Sequence, residues 1–143
     1  MSRAFEWMLK LVELRRERSV NQARRARQDH ARSLAFTQQL QHYATEYDTQ
    51  WSQVAQNGDS VLQLRTASAF GENLRGTARA QAQETDKLQA HSQKMLDKAL
   101  QDTRRVDAMS EYMAKQKALR RATREHREQK DLEDDLNARR ARR

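Results

Sequence analysis

Apolar residues recur along the first third of the chain at alternating spacings of three and four. Near the start this spacing places Phe5, Leu9 and Val12 on one helical face. A second run with the same spacing comprises Leu40, Ala44, Tyr47, Trp51 and Val54. Such spacing is typical of a helix that packs against another helix along a coiled-coil seam. It predicts one helix over about residues 2–56.

The middle of this predicted helix carries a narrower stripe of mostly small side chains. In chain order the stripe comprises Val20, Ala23, Ala26, His30 and Leu34. Small side chains leave little apolar area to bury, so the pattern predicts a thin seam at this level.

The strongest turn signal in the chain is the segment Asn57-Gly58-Asp59-Ser60. Glycine accepts a positive φ without steric cost, and Asn and Asp tolerate the neighbouring turn positions. Ser60 followed by Gln63 also fits a capping box at the start of a second helix. The alternative is a kink within one long helix, but the signal favours a hairpin turn over residues 57–60.

A second helix is predicted from about residue 60 to residue 140. Its main stripe has the same spacing and comprises Leu88, Ser92, Met95, Ala99, Asp102, Val106, Met109 and Met113. A thinner stripe towards the end comprises Leu119, Ala122, His126, Gln129, Leu132 and Leu136. Gly71 and Gly76 each cost helix stability, so they predict a bend or a local break at 71–76.

The turn position sets the pairing of the two helices. With the turn centred near Gly58, facing residues have numbers that add to about 117, so residues from about 116 onward overhang. The chain contains no Pro and only three Gly, and about half of it is Ala, Glu, Lys, Leu and Arg, as in long helices. The predicted fold is all-α: one domain, residues 1–143, forming a long antiparallel two-helix coiled-coil hairpin with a C-terminal helical overhang.

Candidate catalytic chemistry is sparse. There is no Cys, and the four histidines, at positions 30, 42, 91 and 126, are too far apart for a helical metal motif. We therefore expect no enzymatic activity, no cofactor and no metal site.

No stretch approaches the ~20 apolar residues of a membrane span, and no secretory leader is recognisable. The sequence predicts a cytoplasmic protein without direct membrane insertion.

The net charge of +8 is unevenly distributed. Residues 1–32 carry +5, residues 33–60 carry −3, residues 61–103 carry +1 and residues 104–143 carry +5. In a hairpin the two basic segments lie together. They form either a solvated coiled-coil face or a phosphate-binding surface, and the acidic residues interleaved with them make nucleic-acid binding the less favoured alternative.

Two aromatic-containing stripes flank the predicted turn. One comprises Phe36, Leu40, Tyr43 and Tyr47, and the other Phe70, Leu74, Thr77 and Gln81. The predicted pairing places the two stripes opposite each other. Leu40 and Tyr47 belong to the seam series, whereas Phe36 and Tyr43 fall one position off it and are expected to flank the seam. From the residues alone, a buried seam and an exposed apolar patch both remain open.

The whole chain resembles the FliJ family, the small coiled-coil proteins of the bacterial flagellar export apparatus, and is similar to the stalk proteins of virulence type III secretion systems. The motifs that carry the resemblance are Leu40-x-x-Tyr43-x-x-x-Tyr47, Phe70-x-x-x-Leu74, and Arg127-Glu128-Gln129-Lys130 followed by Leu132. Thr77 and Gln81 depart from the usual family pattern. The resemblance favours the exposed patch over the buried seam.

The resemblance implies three partners: the hexameric export ATPase, the cytoplasmic region of the membrane export gate, and export chaperones. The implied gate-binding residues are Phe36, Leu40, Tyr43, Tyr47, Phe70 and Leu74. The implied ATPase-binding residues are Phe5, Leu9, Arg15, Arg16, Arg24, Arg120, Arg121, Arg124, Arg127, Gln129, Lys130 and Leu132. The implied role is a non-enzymatic stalk that couples the ATPase to the gate, peripheral to the inner face of the cell membrane.

Overall fold

Two long α-helices make up the fold in a computed structural model, which describes residues 2–58 and 60–143. Helix α1 spans Ser2–Gln56 and helix α2 spans Val61–Ala141. The helices pack against each other in antiparallel register, so the prediction of an all-α helical hairpin is confirmed. Within the described residues, no helix is long and apolar enough to cross a lipid bilayer.

The turn between the helices has the expected local chemistry. The amides of Asn57 and Gly58 close the end of α1 on the carbonyls of Val54 and Ala55, and Gly58 has a φ of 84°. Ser60 is the N-cap of α2, because its Oγ accepts a hydrogen bond from the amide of Gln63 at 3.3 Å. Asp59, which the sequence places in the same turn, lies outside the described residues.

The seam of α1 keeps the three-four alternation over most of the helix. The less exposed positions at this spacing are Phe5, Leu9, Val12, Arg16, Ser19, Ala23, Ala26, His30, Ser33, Thr37, Leu40, Ala44, Tyr47, Trp51 and Val54. The prediction that Val20 and Leu34 belong to this stripe is wrong, since both are exposed. Ser19 and Ser33, the residues just before them, are buried instead. The three-four spacing of the other seam positions passes through these serines, although each is smaller and more polar than its neighbour.

Helix α2 presents a matching stripe. The less exposed positions at the same spacing are Leu64, Ala67, Gly71, Leu74, Ala78, Gln81, Thr85, Leu88, Ser92, Met95, Ala99, Asp102, Val106, Met109, Met113 and Gln116. This confirms the stripe predicted from Leu88 to Met113. Beyond Gln116 every residue is exposed, including Leu119, Leu132 and Leu136 of the thinner predicted stripe. Residues 117–143, called the tail below, therefore extend past the helix pairing.

The two glycines of α2 do not break it, because the helix is continuous through residues 71–76. Gly71 lies in the seam, where a Cβ atom would be 3.5 Å from both the Tyr47 ring and an Asp48 carboxylate oxygen. A Cβ atom on Gly76 would meet no atom within 4 Å. The predicted local break is therefore wrong, and a bend at this level remains a prediction.

The chain divides into two compact units. The first, called the terminal unit, combines the first 16 residues with residues 101–143, and the turn unit comprises residues 17–100. In the terminal unit the rings of Phe5 and Tyr112 lie 5.1 Å apart. Asp102 is 2 % exposed, and its carboxylate lies 3.8 Å from Arg15 Nε and 3.5 Å from Arg105 Nη1. A buried carboxylate held by two arginines favours one helix register over its alternatives.

The interior of the turn unit contains a cluster of hydroxyl groups. Thr85 Oγ1 donates to the carbonyl of Gln81 and lies 2.7 Å from Ser33 Oγ and 2.8 Å from Thr37 Oγ1. Ser33 Oγ also accepts a hydrogen bond from the Gln81 side-chain amide at 3.1 Å. With Thr85 donating to the carbonyl, Ser33 and Thr37 become the donors to Thr85, and all three hydroxyl protons of the cluster are used. Among the side chains that the structure describes, no buried polar atom lacks a partner.

The cluster makes the stability of the hairpin sensitive to a single hydroxyl. Replacing Thr85 by Val keeps the side-chain shape but leaves the donors of Ser33 and Thr37 without their acceptor. The expected loss in the free energy of unfolding, measured by urea denaturation, is about 1–3 kcal/mol. Thr77→Val is the control, because its Oγ1 bonds to the Asn73 carbonyl on an exposed face. A loss at Thr77 equal to that at Thr85 would contradict a role for the cross-helix cluster.

Candidate partner-binding surfaces

Three aromatic side chains of the turn unit are about half exposed. Phe36 is 49 %, Tyr43 is 51 % and Phe70 is 47 % exposed, whereas Leu40 and Leu74 are half-buried seam residues. The six residues predicted as one patch are therefore divided between seam and surface. Aromatic side chains held this far out of a seam offer apolar area to a partner without disturbing the helix pairing.

The half-exposed aromatics lie on one flank of the hairpin. Tyr43 and Asp48 are five residues apart on α1, as are Phe70 and Arg75 on α2. Two side chains that are five residues apart on a helix point in directions about 140° apart. The two members of each pair therefore lie on opposite flanks of the seam. Since Asp48 meets Arg75 on one flank, Tyr43 and Phe70 share the other.

Two further residues complete this surface. Phe36 precedes Tyr43 by seven residues and so lies on the same face of α1. The ring of Tyr47, a half-buried seam residue, lies 4.9 Å from the ring of Phe70 and thereby joins α1 to α2 across the flank. The residue numbers 47 and 70 add to 117, so this ring contact agrees with the pairing of the helices predicted from the turn. We call Phe36, Tyr43 and Phe70, with the edge of Tyr47, the aromatic flank.

The opposite flank of the same segment is polar. Arg75 Nη1 donates to both carboxylate oxygens of Asp48, at 2.7 and 2.8 Å. Gly71 lies beside this ion pair and lets the Tyr47 ring and the Asp48 carboxylate approach the α2 backbone. The hairpin near its turn therefore has two chemically different sides, and the aromatic flank is the side that offers exposed rings to an apolar partner.

In the terminal unit the predicted apolar contacts lie in the seam. Phe5 stacks with Tyr112, and Leu9 is half buried one turn further along α1. Both side chains are used in holding the helices together. Arg15 is directed towards Asp102, and Arg16 is half buried on the seam side of α1. Arg24 belongs to the turn unit, where it is exposed.

A different set of apolar residues is exposed at the start of α1. Trp7 is 67 %, Leu11 is 62 % and Leu14 is 61 % exposed, on the side of the helix opposite Leu9. The ammonium group of Lys10 lies 5.7 Å from the centre of the Trp7 ring. We call Trp7, Leu11 and Leu14 the outer stripe. Sequence reasoning missed it because Phe5, Leu9 and Val12 had already been assigned as the apolar face, yet the three-four spacing is equally clear in both sets.

The tail carries the remaining predicted residues, all of which are exposed. Arg120, Arg124 and Arg127 follow the three-four spacing and share one face of α2. Arg121, Gln129, Lys130 and Leu132 lie on other parts of the tail surface. Acidic side chains are interleaved with these groups, and one of them, Asp135, lies 3.7 Å from Arg139. Among the described residues, no group of His, Asp and Glu side chains is arranged to hold a metal ion.

The chain matches the family model described as "Flagellar FliJ protein" over residues 1–143. The comparison with curated proteins gives no significant match, and neither does the comparison with solved structures.

Proposed function

Because the chain belongs to the FliJ family and is thus a protein of the flagellar export apparatus, we propose that it is a non-enzymatic stalk. In this role it links the hexameric export ATPase to the membrane export gate and escorts export chaperones. Such a protein acts by differential contacts, because a partner that binds one conformational state more tightly shifts the population towards that state. The stalk needs separate contact surfaces for separate partners.

The observation that carries this proposal is the helical tail that continues past the last seam residue, Gln116. An isolated helix of ordinary composition is marginal in water, so a long unpaired helix is best explained by a partner that packs around it. We assign the ATPase as that partner. The basic stripe of Arg120, Arg124 and Arg127 provides electrostatic attraction to acidic groups of the ATPase.

In this proposal the residues of α1 do not all contribute to the contact in the same way. Phe5 and Leu9 stabilise the helix pair, so their contribution to ATPase binding is indirect: they position the exposed side chains around them. Arg16 is half buried on the seam side of α1, so only part of its side chain is available to the ATPase. The direct contacts in the proposal are those of the exposed arginines and of the tail residues Gln129, Lys130 and Leu132.

The aromatic flank is the proposed binding surface for the export gate. Its three half-exposed rings are concentrated on one side of the turn unit, while the other side carries the Asp48–Arg75 ion pair. Aromatic residues are enriched among the side chains that dominate binding energies. Leu40 and Leu74 support the rings from the seam, and Tyr47 has both roles.

Removing one exposed ring tests the gate assignment. Tyr43→Ala is expected to weaken binding to the purified cytoplasmic region of the gate by about tenfold, measured by calorimetry. It should change the free energy of unfolding by less than about 0.5 kcal/mol, since the ring is half exposed. Tyr47→Ala should also weaken binding but destabilise the hairpin by about 1–3 kcal/mol, because that ring packs on Phe70 and Gly71.

Leu34→Ala is the matched control, because Leu34 is an exposed apolar residue away from the aromatic flank. Gate affinity should be unchanged in this variant. If Tyr43→Ala leaves the affinity unchanged as well, or if Leu34→Ala weakens it equally, the aromatic flank is not the gate-binding surface.

Removing charge from one tail face tests the ATPase assignment. Changing Arg120, Arg124 and Arg127 together to Gln is expected to weaken binding to the export ATPase by about tenfold at moderate salt. The cause is the loss of three favourable charge contacts on one face, and the measurement is retention of the chain on immobilised ATPase. The helix content should be unchanged by circular dichroism, because all three residues are exposed.

The control removes the same charge elsewhere, by changing Arg65, Arg79 and Lys87 to Gln in the turn unit. These residues are exposed on α2, and the variant should be retained like the unmodified chain. Equal loss in both variants would indicate a general charge effect. Retention of the chain by duplex DNA or RNA, with no retention by the ATPase, would support the alternative function of nucleic-acid binding and refute the stalk.

A further inference from the structure

The outer stripe is the most exposed apolar surface of α1. Its three side chains are 61–67 % exposed, whereas the other exposed large apolar residues of this helix are 36–53 % exposed. One of these, Met8 at 53 %, is three residues from Leu11 and so widens the stripe. Single exposed apolar residues are ordinary on a protein surface, but a contiguous group of four indicates an interaction surface.

Basic side chains border the outer stripe on both edges. Residues three or four apart are neighbours on a helix surface. By this spacing Arg3 and Lys10 adjoin Trp7, and Arg15 adjoins Leu11. Lys10 and Arg15 are five residues apart, so they lie on opposite edges of the stripe. The ammonium group of Lys10 is 5.7 Å from the centre of the Trp7 ring.

The acidic residues of this segment lie away from the outer stripe. Neither Glu6 nor Glu13 is three or four residues from any of its members, and Glu13 is half buried. Further along the sequence, Glu17 and Arg18 follow Leu14 by three and four residues and offset each other. The stripe is therefore an apolar surface with a cationic border.

An apolar centre with cations on both edges is complementary to the surface of an anionic lipid bilayer. A helix that lies in the plane of a membrane places Trp and Leu side chains at the boundary of the acyl chains, and its Lys and Arg side chains reach the headgroup phosphates. Trp is enriched at this interface, since its ring is apolar and its N–H group stays hydrated. A partner helix would need acidic side chains along both edges of its own stripe, whereas a flat anionic surface contacts both edges at once.

The pairing with α2 leaves this surface accessible. Within the terminal unit α2 packs on the side of Phe5 and Leu9, as the ring contact between Phe5 and Tyr112 shows. Trp7 and Leu11 each follow one of these residues by two positions, so they point in directions about 160° away from them. The start of α1 can therefore lie on a membrane without any change in the helix pairing.

We propose that the start of α1 binds the surface of an anionic bilayer, with the outer stripe at the acyl-chain boundary and Arg3, Lys10 and Arg15 among the headgroup phosphates. Arg15 takes part although its Nε is directed towards Asp102, because its side chain is 63 % exposed. Few large apolar side chains are inserted, so the binding is reversible and decreases with salt. The surface is separate from the aromatic flank and the tail, so the inference does not depend on the proposed stalk function.

Fluorescence of the two tryptophans tests which surface meets the membrane. Trp7 belongs to the outer stripe, whereas Trp51 lies in the turn unit. Trp51→Phe leaves Trp7 as the reporter, and Trp7→Phe leaves Trp51. With vesicles of phosphatidylcholine and phosphatidylglycerol at low salt, Trp7 emission should shift to shorter wavelengths and be quenched by brominated acyl chains, and Trp51 emission should be unaffected. Vesicles of phosphatidylcholine alone should bind the chain about tenfold more weakly or less.

Polar substitution within the outer stripe gives a second readout on the full chain. Leu11→Gln together with Leu14→Gln is expected to weaken binding to the anionic vesicles about tenfold or more, measured by co-sedimentation. Leu119→Gln together with Leu132→Gln is the matched control, because these tail leucines are 60 % and 63 % exposed, like those of the stripe. The control should bind like the unmodified chain, and the circular dichroism of both variants should be unchanged.

Removing one bordering cation tests the electrostatic part of the contact. Lys10→Gln should weaken binding about fivefold at low salt. Lys87→Gln, which removes an exposed charge from the turn unit, should have no effect. A chain that does not bind the anionic vesicles, quenching of Trp51 rather than Trp7, or equal loss in the stripe and tail variants would each overturn the proposal. If a protein helix rather than lipid covers the outer stripe, the vesicles will leave Trp7 emission unchanged, which also contradicts it.

Discussion

The packing of small side chains at an interval of 3.5 residues is the constraint on which the rest of this structure depends. Among the described residues, the buried apolar side chains are those of Ala26, Ala44, Ala67, Ala78, Ala99 and Val106. Such residues let two helices approach closely but contribute little apolar burial, so the register must be specified by other means. The Thr85 hydroxyl cluster does this in the turn unit, and the buried Asp102 carboxylate does it in the terminal unit. Ring pairs add apolar contact area between the helices, at Tyr47–Phe70 and Phe5–Tyr112.

A seam of this kind leaves most large side chains outside it, and the proposed function uses that surface. The aromatic flank, the outer stripe and the tail are all exposed, and each has its own chemistry: half-exposed rings, an apolar stripe beside Lys10, and interleaved charges. Membership of the FliJ family identifies the setting as flagellar export. The proposed stalk role assigns the aromatic flank to the gate and the basic tail to the ATPase.

The seam was predictable where its residues are plainly apolar and less so where they are polar. From Leu88 to Met113 each position was predicted, since Met95, Val106 and Met109 define the phase. At Val20 and Leu34 the larger apolar residue was preferred to the neighbouring serine, although strict three-four spacing runs through Ser19 and Ser33. The hydroxyl cluster could not be predicted, because Ser and Thr resemble surface residues until their cross-helix partners are known. Spacing placed Phe36 and Tyr43 beside the seam, whereas the side of the hairpin they share with Phe70 follows only from the Asp48–Arg75 contact.

The central claim is that the helix pairing ends at Gln116 and leaves the tail exposed for partners. Cysteine scanning from residue 106 to residue 127, one substitution at a time, with thiol-labelling rates measured on dilute protein, tests this most directly. Rates should be slow at Val106, Met109, Met113 and Gln116, fast between them, and uniformly fast beyond Gln116. A slow rate recurring every three or four residues past Gln116, or no periodicity before it, would contradict the account.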